Sequence, residues 1–374
     1  KHPSSLPSSC PLQSHEPEFC RSGFVATALL KASRLCYVGV MNDSQSQPSA
    51  ADSDTPGVEC FVAEIAEPTE TEPQRAETAQ VPRRRKVTLP IILLLLTCVS
   101  TFVTGALHFA PVLYVGNGTM HLARRFILTH WQDGITFMLC VLGILLAHEL
   151  GHFIATVLYR IPASLPIFLP FPVSPLGTLG AVIVMDGKHA NRKQIFDIGI
   201  AGPLAGLVIA FPVLWIGLQQ LDFSQQASGI FAVDIPLAVR WMILWQGPEG
   251  YTSSSMIGQD QLNPYFMAGW VGCLVTSVNM IPVSQLDGGH ISYTLFGKAA
   301  HKVARGFMIF AVAYIVYMGV SALALMLLLV LLMGTDHQPT KDDSVPIGWF
   351  RFVLGLASLS IPLLLMPPRV MIAG

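Results

Sequence analysis

Long apolar runs separated by short polar segments dominate the chain from Leu89 onward. A helix that crosses the hydrocarbon core of a bilayer needs about 20 mainly apolar residues. Six runs come close to this length or exceed it: Leu89–Ala110, Gly134–Tyr159, Phe196–Leu218, Pro264–Pro282, Phe307–Met333 and Trp349–Met366. The pattern predicts an all-α polytopic membrane protein with about six transmembrane helices.

The first 86 residues have a different character. From Asn42 to Gln80 the chain is rich in Ser, Pro, Glu, Thr and Ala and poor in large apolar residues, so it cannot bury enough surface to offset the entropy of ordering. We expect residues 1–86 to be a disordered polar tail and residues 87–374 to be a multi-pass membrane domain. Residues 1–40 are either an unusual extension of the tail or not native, in which case Met41 is the initiator.

Composition agrees with a membrane protein, because 52% of the residues are hydrophobic and only 12% are charged. The formal net charge of −1 gives no support for nucleic-acid binding. None of the seven cysteines forms a Cys-x-x-Cys pair, so a cysteine-ligated zinc site is not expected.

Lysine and arginine counts in short loops predict the orientation, since cytoplasmic loops carry an excess of both. Four basic residues, 83–86, precede the first run. The loops after the second and fourth runs are also basic, with Arg160, Lys188, Arg192, Lys193, Lys298, Lys302 and Arg305. We expect both termini in the cytoplasm, with Gln219–Asn263 and Thr335–Val345 across the membrane, which is most simply a cell (inner) membrane. The pair Arg124–Arg125 is the exception.

The second run contains the sequence His148-Glu149-Leu150-Gly151-His152. Residues four apart lie on one helix face, so both imidazoles can reach one metal ion with Glu149 beside them. Glu149 is then placed to take a proton from a water at the metal. Ionisable groups are costly at membrane depth, which indicates a function for them rather than a chance occurrence.

Two histidines leave a tetrahedral zinc ion in need of one more protein ligand and a water. The best candidate is Asp287, which follows an apolar run whose helix Pro282 must kink or break. By the charge rule it lies on the same side as the histidines. The weaker rivals occupy polar segments, where an ionisable side chain needs no explanation: Asp186, His189, Asp197, His290 and His301.

Two further segments have a distinctive composition. The stretch Gly177–Met185, small and β-branched, reads as an edge strand, so Gly177, Thr178, Leu179 and Gly180 are candidates for binding an extended substrate by strand addition. An ordinary membrane-dipping hairpin is the equal alternative. Gly202-x-x-x-Gly206 is a helix-packing pattern, and the proline-rich stretch Pro162–Pro175 excludes a regular helix.

The histidine motif and the segment Asn-x-x-Pro-x-x-x-Leu-Asp-Gly, residues 279–288, resemble the site-2 protease family of intramembrane zinc metalloproteases. Ala201–Gly206 is also similar to a segment of that family, and the resemblance extends from Val87 to Arg369. It implies one Zn²⁺ per chain, ligated by His148, His152 and Asp287. It also implies Glu149 as general base and Asn279 as a donor to the oxyanion.

These features favour an intramembrane zinc endopeptidase that acts on a membrane-anchored protein substrate within the lipid bilayer. The resemblance implies substrates such as tethered transcription regulators, anti-sigma factors or signal-peptide remnants. A metal-ion transporter or channel is an alternative, although the polar intramembrane residues concentrate in two segments. A catalytically inactive binding protein of the same fold is a second alternative, against which the intact Glu149 stands.

Overall fold

The computed structural model describes residues 87–114, 119–185, 187–223, 227–247, 250–251, 256–283, 285–318, 328 and 340–373. The predicted tail, residues 1–86, lies outside them. The helices are α1 (Thr88–Ala106), α2 (Met120–Thr129), α3 (Trp131–Leu158), α4 (Arg192–Leu218), α5 (Leu237–Gln246), α6 (Pro264–Asn279), α7 (Asp287–Phe296), α8 (Ala300–Met318), α9 (Trp349–Ser358) and α10 (Ile361–Leu365). The strands are β1 (Ile167–Phe171), β2 (Gly177–Val182), β3 (Phe231–Val233), β4 (Ile257–Gly258) and β5 (Ile372–Ala373).

Four helical stretches among the described residues are long and apolar enough to cross a membrane: α1, α3, α4, and Asp287–Tyr317 across α7 and α8. At 16 residues, α6 is about 24 Å long, which is shorter than the roughly 30 Å hydrocarbon core. The sixth predicted run divides into the short helices α9 and α10. The protein is therefore a mostly helical membrane protein, and the count of six crossings stays a prediction.

Helix α1 turns a polar stripe inward and an apolar face outward. Its buried polar residues follow helical spacing: Thr97, Ser100, Thr101 and Thr104. Leu95 and Val99 on the outer face are exposed, as expected where lipid replaces water as the neighbour. Ser100 Oγ donates to the Gly177 carbonyl oxygen at 2.6 Å, so the inner stripe of α1 holds the start of β2.

The predicted β-structure is present as an antiparallel hairpin of β1 and β2, paired from Ile167–Val182 to Phe171–Gly177. Its register shifts between Leu169 and Pro170, because a proline cannot donate to the ladder. Strand β1 lies within the proline-rich stretch for which a helix was excluded. A second antiparallel sheet, in the order β4-β3-β5, was not predicted.

The helices define two ends of the bundle, which we call the Ala190 end and the Gly217 end. Ala190 lies just before α4 begins, and Gly217 lies in its last turn. Asn263 at the start of α6 donates from Nδ2 to the Gly217 carbonyl oxygen at 2.9 Å. Strands β3 and β4 lie between α4 and α6 at the Gly217 end, and β5, which follows α10, pairs with β3 there.

The predicted placement of residues 340–345 and of the C-terminus relative to the other loops is wrong. The amide N–H of Lys341 donates to the Ala190 carbonyl oxygen at 2.9 Å, so residues 340–344 lie at the Ala190 end, not across the membrane from it. Strand β5 pairs with β3, so the C-terminal residues lie at the Gly217 end together with the Gln219–Asn263 segment. The prediction used the low count of lysine and arginine in Thr335–Val345, which holds only Lys341, and so few basic residues are a weak signal of orientation.

Candidate active site

Helix α3 carries the first part of the site. It packs against α1, α4 and α6, so its middle is enclosed by protein. His148, Glu149 and His152 are 2%, 3% and 6% exposed, and the four-residue spacing sets both imidazoles on one face. The predicted arrangement of the motif on a buried helix face is therefore present.

Asp287 reaches the same place from a break between two helices. Helix α6 ends at Asn279 and α7 begins at Asp287, with Pro282 in the connection. A carboxylate in the first turn is stabilised by the helix dipole. A Cβ on Gly288 would overlap the Met280 carbonyl group, so only glycine allows α7 to begin this close to the end of α6.

The three predicted metal ligands, His148, His152 and Asp287, converge on one point, and we call them the donor group. The Nε2 atoms of His148 and His152 are 3.2 Å apart. Asp287 Oδ2 lies 3.2 Å from His148 Nε2, and Asp287 Oδ1 lies 3.3 Å from His152 Nε2. The amide Nδ2 of Asn279 is 3.3 Å from His148 Nε2, so Asn279 borders this group.

The spacing of the donors fits a zinc ion. Tetrahedral ligands at zinc distances of about 2.0–2.1 Å lie about 3.3 Å from one another. His152 Nδ1 donates to the Ile198 carbonyl oxygen at 2.8 Å, which leaves a lone pair on Nε2 of the neutral ring. Two imidazole nitrogens and a carboxylate aimed at one another repel unless a cation lies between them, so the donor set fits the metal that the sequence indicated.

The glycine pair of α4 packs directly on the ligand histidines, which gives the helix-packing pattern a role in the site. A Cβ on Gly202 would overlap the His152 imidazole. A Cβ on Gly206 would lie 3.2 Å from both Cβ and Nδ1 of His148. Because both rings lie against bare backbone, their orientation depends on the absence of side chains at these two positions.

Replacing Gly202 with alanine should therefore impair zinc binding. The added methyl must displace the His152 ring or separate α3 from α4, and overpacking of this kind costs about 1–3 kcal/mol. Zinc content and thermal unfolding of the purified variant are the measurements. Gly143→Ala is the control, since a Cβ at this α3 position meets nothing within 4 Å. Normal zinc affinity in Gly202→Ala would contradict the packing argument.

A cavity of about 550 Å³ opens beside the donor group. Glu149 and Asn279 line it, together with Ala181–Met185 on one side and Gln285–Leu286 on another. The cavity is therefore lined both by His148, His152 and Asp287 and by the end of the β-hairpin. This arrangement provides room for a chain segment next to the carboxylate of Glu149.

The other predicted residues are divided between this cavity and its surroundings. The cavity wall is formed by the end of β2 and the residues after it, whereas Gly177–Gly180 are not among its lining residues. Thr178 is 1% exposed and donates to the Leu169 carbonyl oxygen at 2.9 Å. A direct substrate contact for these four residues stays a prediction.

Asp197 and His290, two of the weaker candidates for the third ligand, lie outside the donor group. Asp197 pairs with Arg351, and His290 lines the cavity without joining the donor group. Asp186 lies outside the described residues. The Ile198 carbonyl was missed by sequence reasoning, because a backbone acceptor carries no signal in the sequence.

Comparison with known proteins finds a matching family and several similar proteins. The model of peptidase family M50 matches residues 136–327. The chain is 32% identical over 238 residues to the probable zinc metalloprotease EGY1, chloroplastic, of Arabidopsis thaliana, covering 61% of this chain and 42% of the relative. The rice relative of the same name is 32% identical, with 61% and 39% covered. EGY2 of Arabidopsis thaliana is 29% identical, with 51% and 33% covered. The chain thus spans about two fifths of the first two relatives.

Proposed function

Because the chain belongs to peptidase family M50, the site-2 protease family, we propose that it is an intramembrane zinc endopeptidase. Its substrate is a membrane-anchored protein, in which it hydrolyses a peptide bond. One observation carries the proposal: three donor side chains from α3 and α7 converge beside a buried glutamate, and all four residues line one cavity. Each chain holds one zinc ion.

His148, His152 and Asp287 hold the metal. When bound, zinc supplies a Lewis acid that polarises the peptide carbonyl and acidifies a water. Glu149 accepts the proton of the attacking water and returns it to the leaving amine. The Asn279 amide donates to the oxygen on which negative charge develops. The Ile198 carbonyl keeps the proton of His152 on Nδ1, so that Nε2 is free to act as a ligand.

The substrate binds in an extended conformation along the hairpin. Val182 and Val184 are 46% and 64% exposed, and residues 181–185 form the cavity wall. A strand with a free edge can pair with an unwound segment of substrate by strand addition. Residues 177–180, anchored on α1, set the position of that edge.

A cleavage assay in lipid vesicles tests the function. The full chain is reconstituted with a fluorogenic peptide that contains a transmembrane segment, and hydrolysis is measured with and without a chelator. We expect chelation to abolish cleavage and zinc to restore it. Zinc-dependent metal flux without cleavage would support the transporter, and zinc binding without either activity would support the inactive binding protein.

The two EGY1 relatives carry the word chloroplastic in their names, and we propose a chloroplast membrane for this chain in place of the cell membrane expected from sequence. Cell fractionation of the tagged protein is the test, and recovery in the plasma-membrane fraction would refute the chloroplast location.

We propose that the Ala190 end faces the side of the basic loops, and that the C-terminus lies on the other side.

Cysteine labelling tests this orientation. In a variant whose own cysteines are replaced, an impermeant reagent should modify Lys298→Cys and Lys341→Cys from one side of sealed membranes. Ile230→Cys and a C-terminal cysteine should react from the other, because β5 pairs with β3 at the Gly217 end. Labelling of the C-terminal cysteine from the same side as Lys341→Cys would overturn the orientation.

A further inference from the structure

Three side chains form a hydrogen-bonded cluster near the Ala190 end. Arg351 of α9 donates from Nε to Asp197 Oδ1 at 2.7 Å and from its Nη2 to Asp197 Oδ2 at 2.9 Å. The hydroxyl of Tyr159 donates to Asp197 Oδ2 at 2.5 Å. A two-pronged arginine–carboxylate pair with a further donor fixes the carboxylate in both position and orientation. The cluster therefore joins the end of α3, the first turns of α4 and the start of α9.

The position of Asp197 connects this cluster with the metal site. Asp197 directly precedes Ile198, whose carbonyl oxygen accepts the hydrogen bond from His152 Nδ1. Tyr159 follows His152 by seven residues, which is two helical turns and thus the same face of α3. Helices α3 and α4 are consequently joined at two neighbouring points, one at the ligand histidine and the other at Asp197.

Helix α9 supports the same junction from outside. A Cβ on Gly355, one turn after Arg351, would lie 2.7 Å from the Phe196 ring and 3.1 Å from Leu295. Phe196 belongs to α4 and Leu295 to α7, the helix that begins with Asp287. Arg351 therefore binds Asp197 from α9, a helix that itself packs against α4 and α7.

We propose that Tyr159, Asp197 and Arg351 are positioning residues for the metal ligand His152. They hold α4 in the register that presents the Ile198 carbonyl to His152 Nδ1, and so fix the tautomer and orientation of that ring. None of the three lines the cavity or belongs to the donor group. The inference rests on the proposed zinc site and assigns to it a set of supporting residues that extends to α9.

The test compares this cluster with a similar ion pair elsewhere. Asp197→Asn, Arg351→Gln and Tyr159→Phe are purified as full chains, and zinc affinity is measured by competition with a chelator. Loss of an outer partner of a ligand histidine typically weakens metal binding 10–100-fold, and we expect a loss in this range. The Co²⁺-substituted variants should also show an altered visible absorption spectrum, and Arg351→Lys should restore part of the affinity.

Asp234→Asn and Arg240→Gln are the matched controls. This pair, at 2.8 Å, belongs to the segment at the Gly217 end, where Arg369 N also donates to Asp234 at 3.3 Å. The controls should lower thermal stability and leave zinc affinity and the Co²⁺ spectrum unchanged.

The inference is overturned if the Asp197 and Arg351 variants behave like these controls. If the Asp197 and Arg351 variants fail to fold, Tyr159→Phe, which removes a single hydroxyl group, is compared with the controls instead. Zinc affinity equal to that of the controls would then overturn the inference. An unmodified chain that binds no zinc would instead refute the proposed function.

Discussion

Replacing Glu149 with glutamine should reduce peptide cleavage by about 10²–10⁴-fold, the usual contribution of a positioned acid–base group, while the zinc content stays at one per chain. The amide has the shape of the carboxylate but cannot accept a proton from water. Glu149 is buried and lines the cavity, yet it is not among the three donors that converge. Single-turnover cleavage and metal analysis of the same preparation give both readouts.

Glu149→Asp is the informative companion, because it keeps the base and shortens its reach. We expect its cleavage rate to lie between those of the unmodified chain and Glu149→Gln. Full activity in Glu149→Gln would remove this residue from the mechanism. Loss of zinc in that variant would instead indicate that Glu149 is a ligand, and would contradict its assignment as a base that does not bind the metal.

The donor group and the neighbouring Glu149 could be predicted from the sequence, because each of these residues broke a local rule. Two histidines and a glutamate in an apolar helix are costly unless they are used. Asp287 follows Pro282, which favours a kink or a break in the preceding helix. Such conflicts between a residue and its local environment are visible without a structure. The structure then brings the two histidines and Asp287 within hydrogen-bonding distance of one another.

The surroundings of the donor group could not be predicted, because they depend on backbone atoms and on distant segments. The Ile198 carbonyl is one of many equivalent acceptors in the sequence. Asp197 is a weak candidate by sequence because basic and polar residues precede it, yet it lies in α4 and its partner Arg351 is 154 residues away. Nothing in the local sequence of either residue indicates that pairing.

The prediction of the side on which residues 340–345 and the C-terminus lie was wrong for a related reason. The charge rule depends on counts of lysine and arginine, and the segment Thr335–Val345 holds a single basic residue, Lys341. Its position is instead set by tertiary contacts, in which Arg192 N donates to the Asp342 carbonyl oxygen at 3.2 Å. The pairing of β5 with β3 joins segments about 140 residues apart, and strands of two or three residues leave no periodic pattern to detect.

Replacing Asp287 with alanine should remove both zinc binding and cleavage. The remaining histidines come from one helix, so metal binding would no longer join α3 to α7. Loss of a ligand should weaken zinc affinity by more than the 10–100-fold typical of an outer partner. Zinc competition measurements on the purified variant give the affinity. Asp287→Glu, which keeps the charge on a longer side chain, should retain more zinc than the alanine variant.

The control for this prediction lies one turn further along α7. His290 lines the same cavity but does not join the donor group, so His290→Ala should keep the zinc affinity of the unmodified chain. If His290→Ala loses zinc and Asp287→Ala keeps it, the third ligand has been misassigned. If both variants keep it, the two histidines suffice for binding. Only selective loss in Asp287→Ala fits a site in which the break between α6 and α7 exists to bring a carboxylate to the histidines of α3.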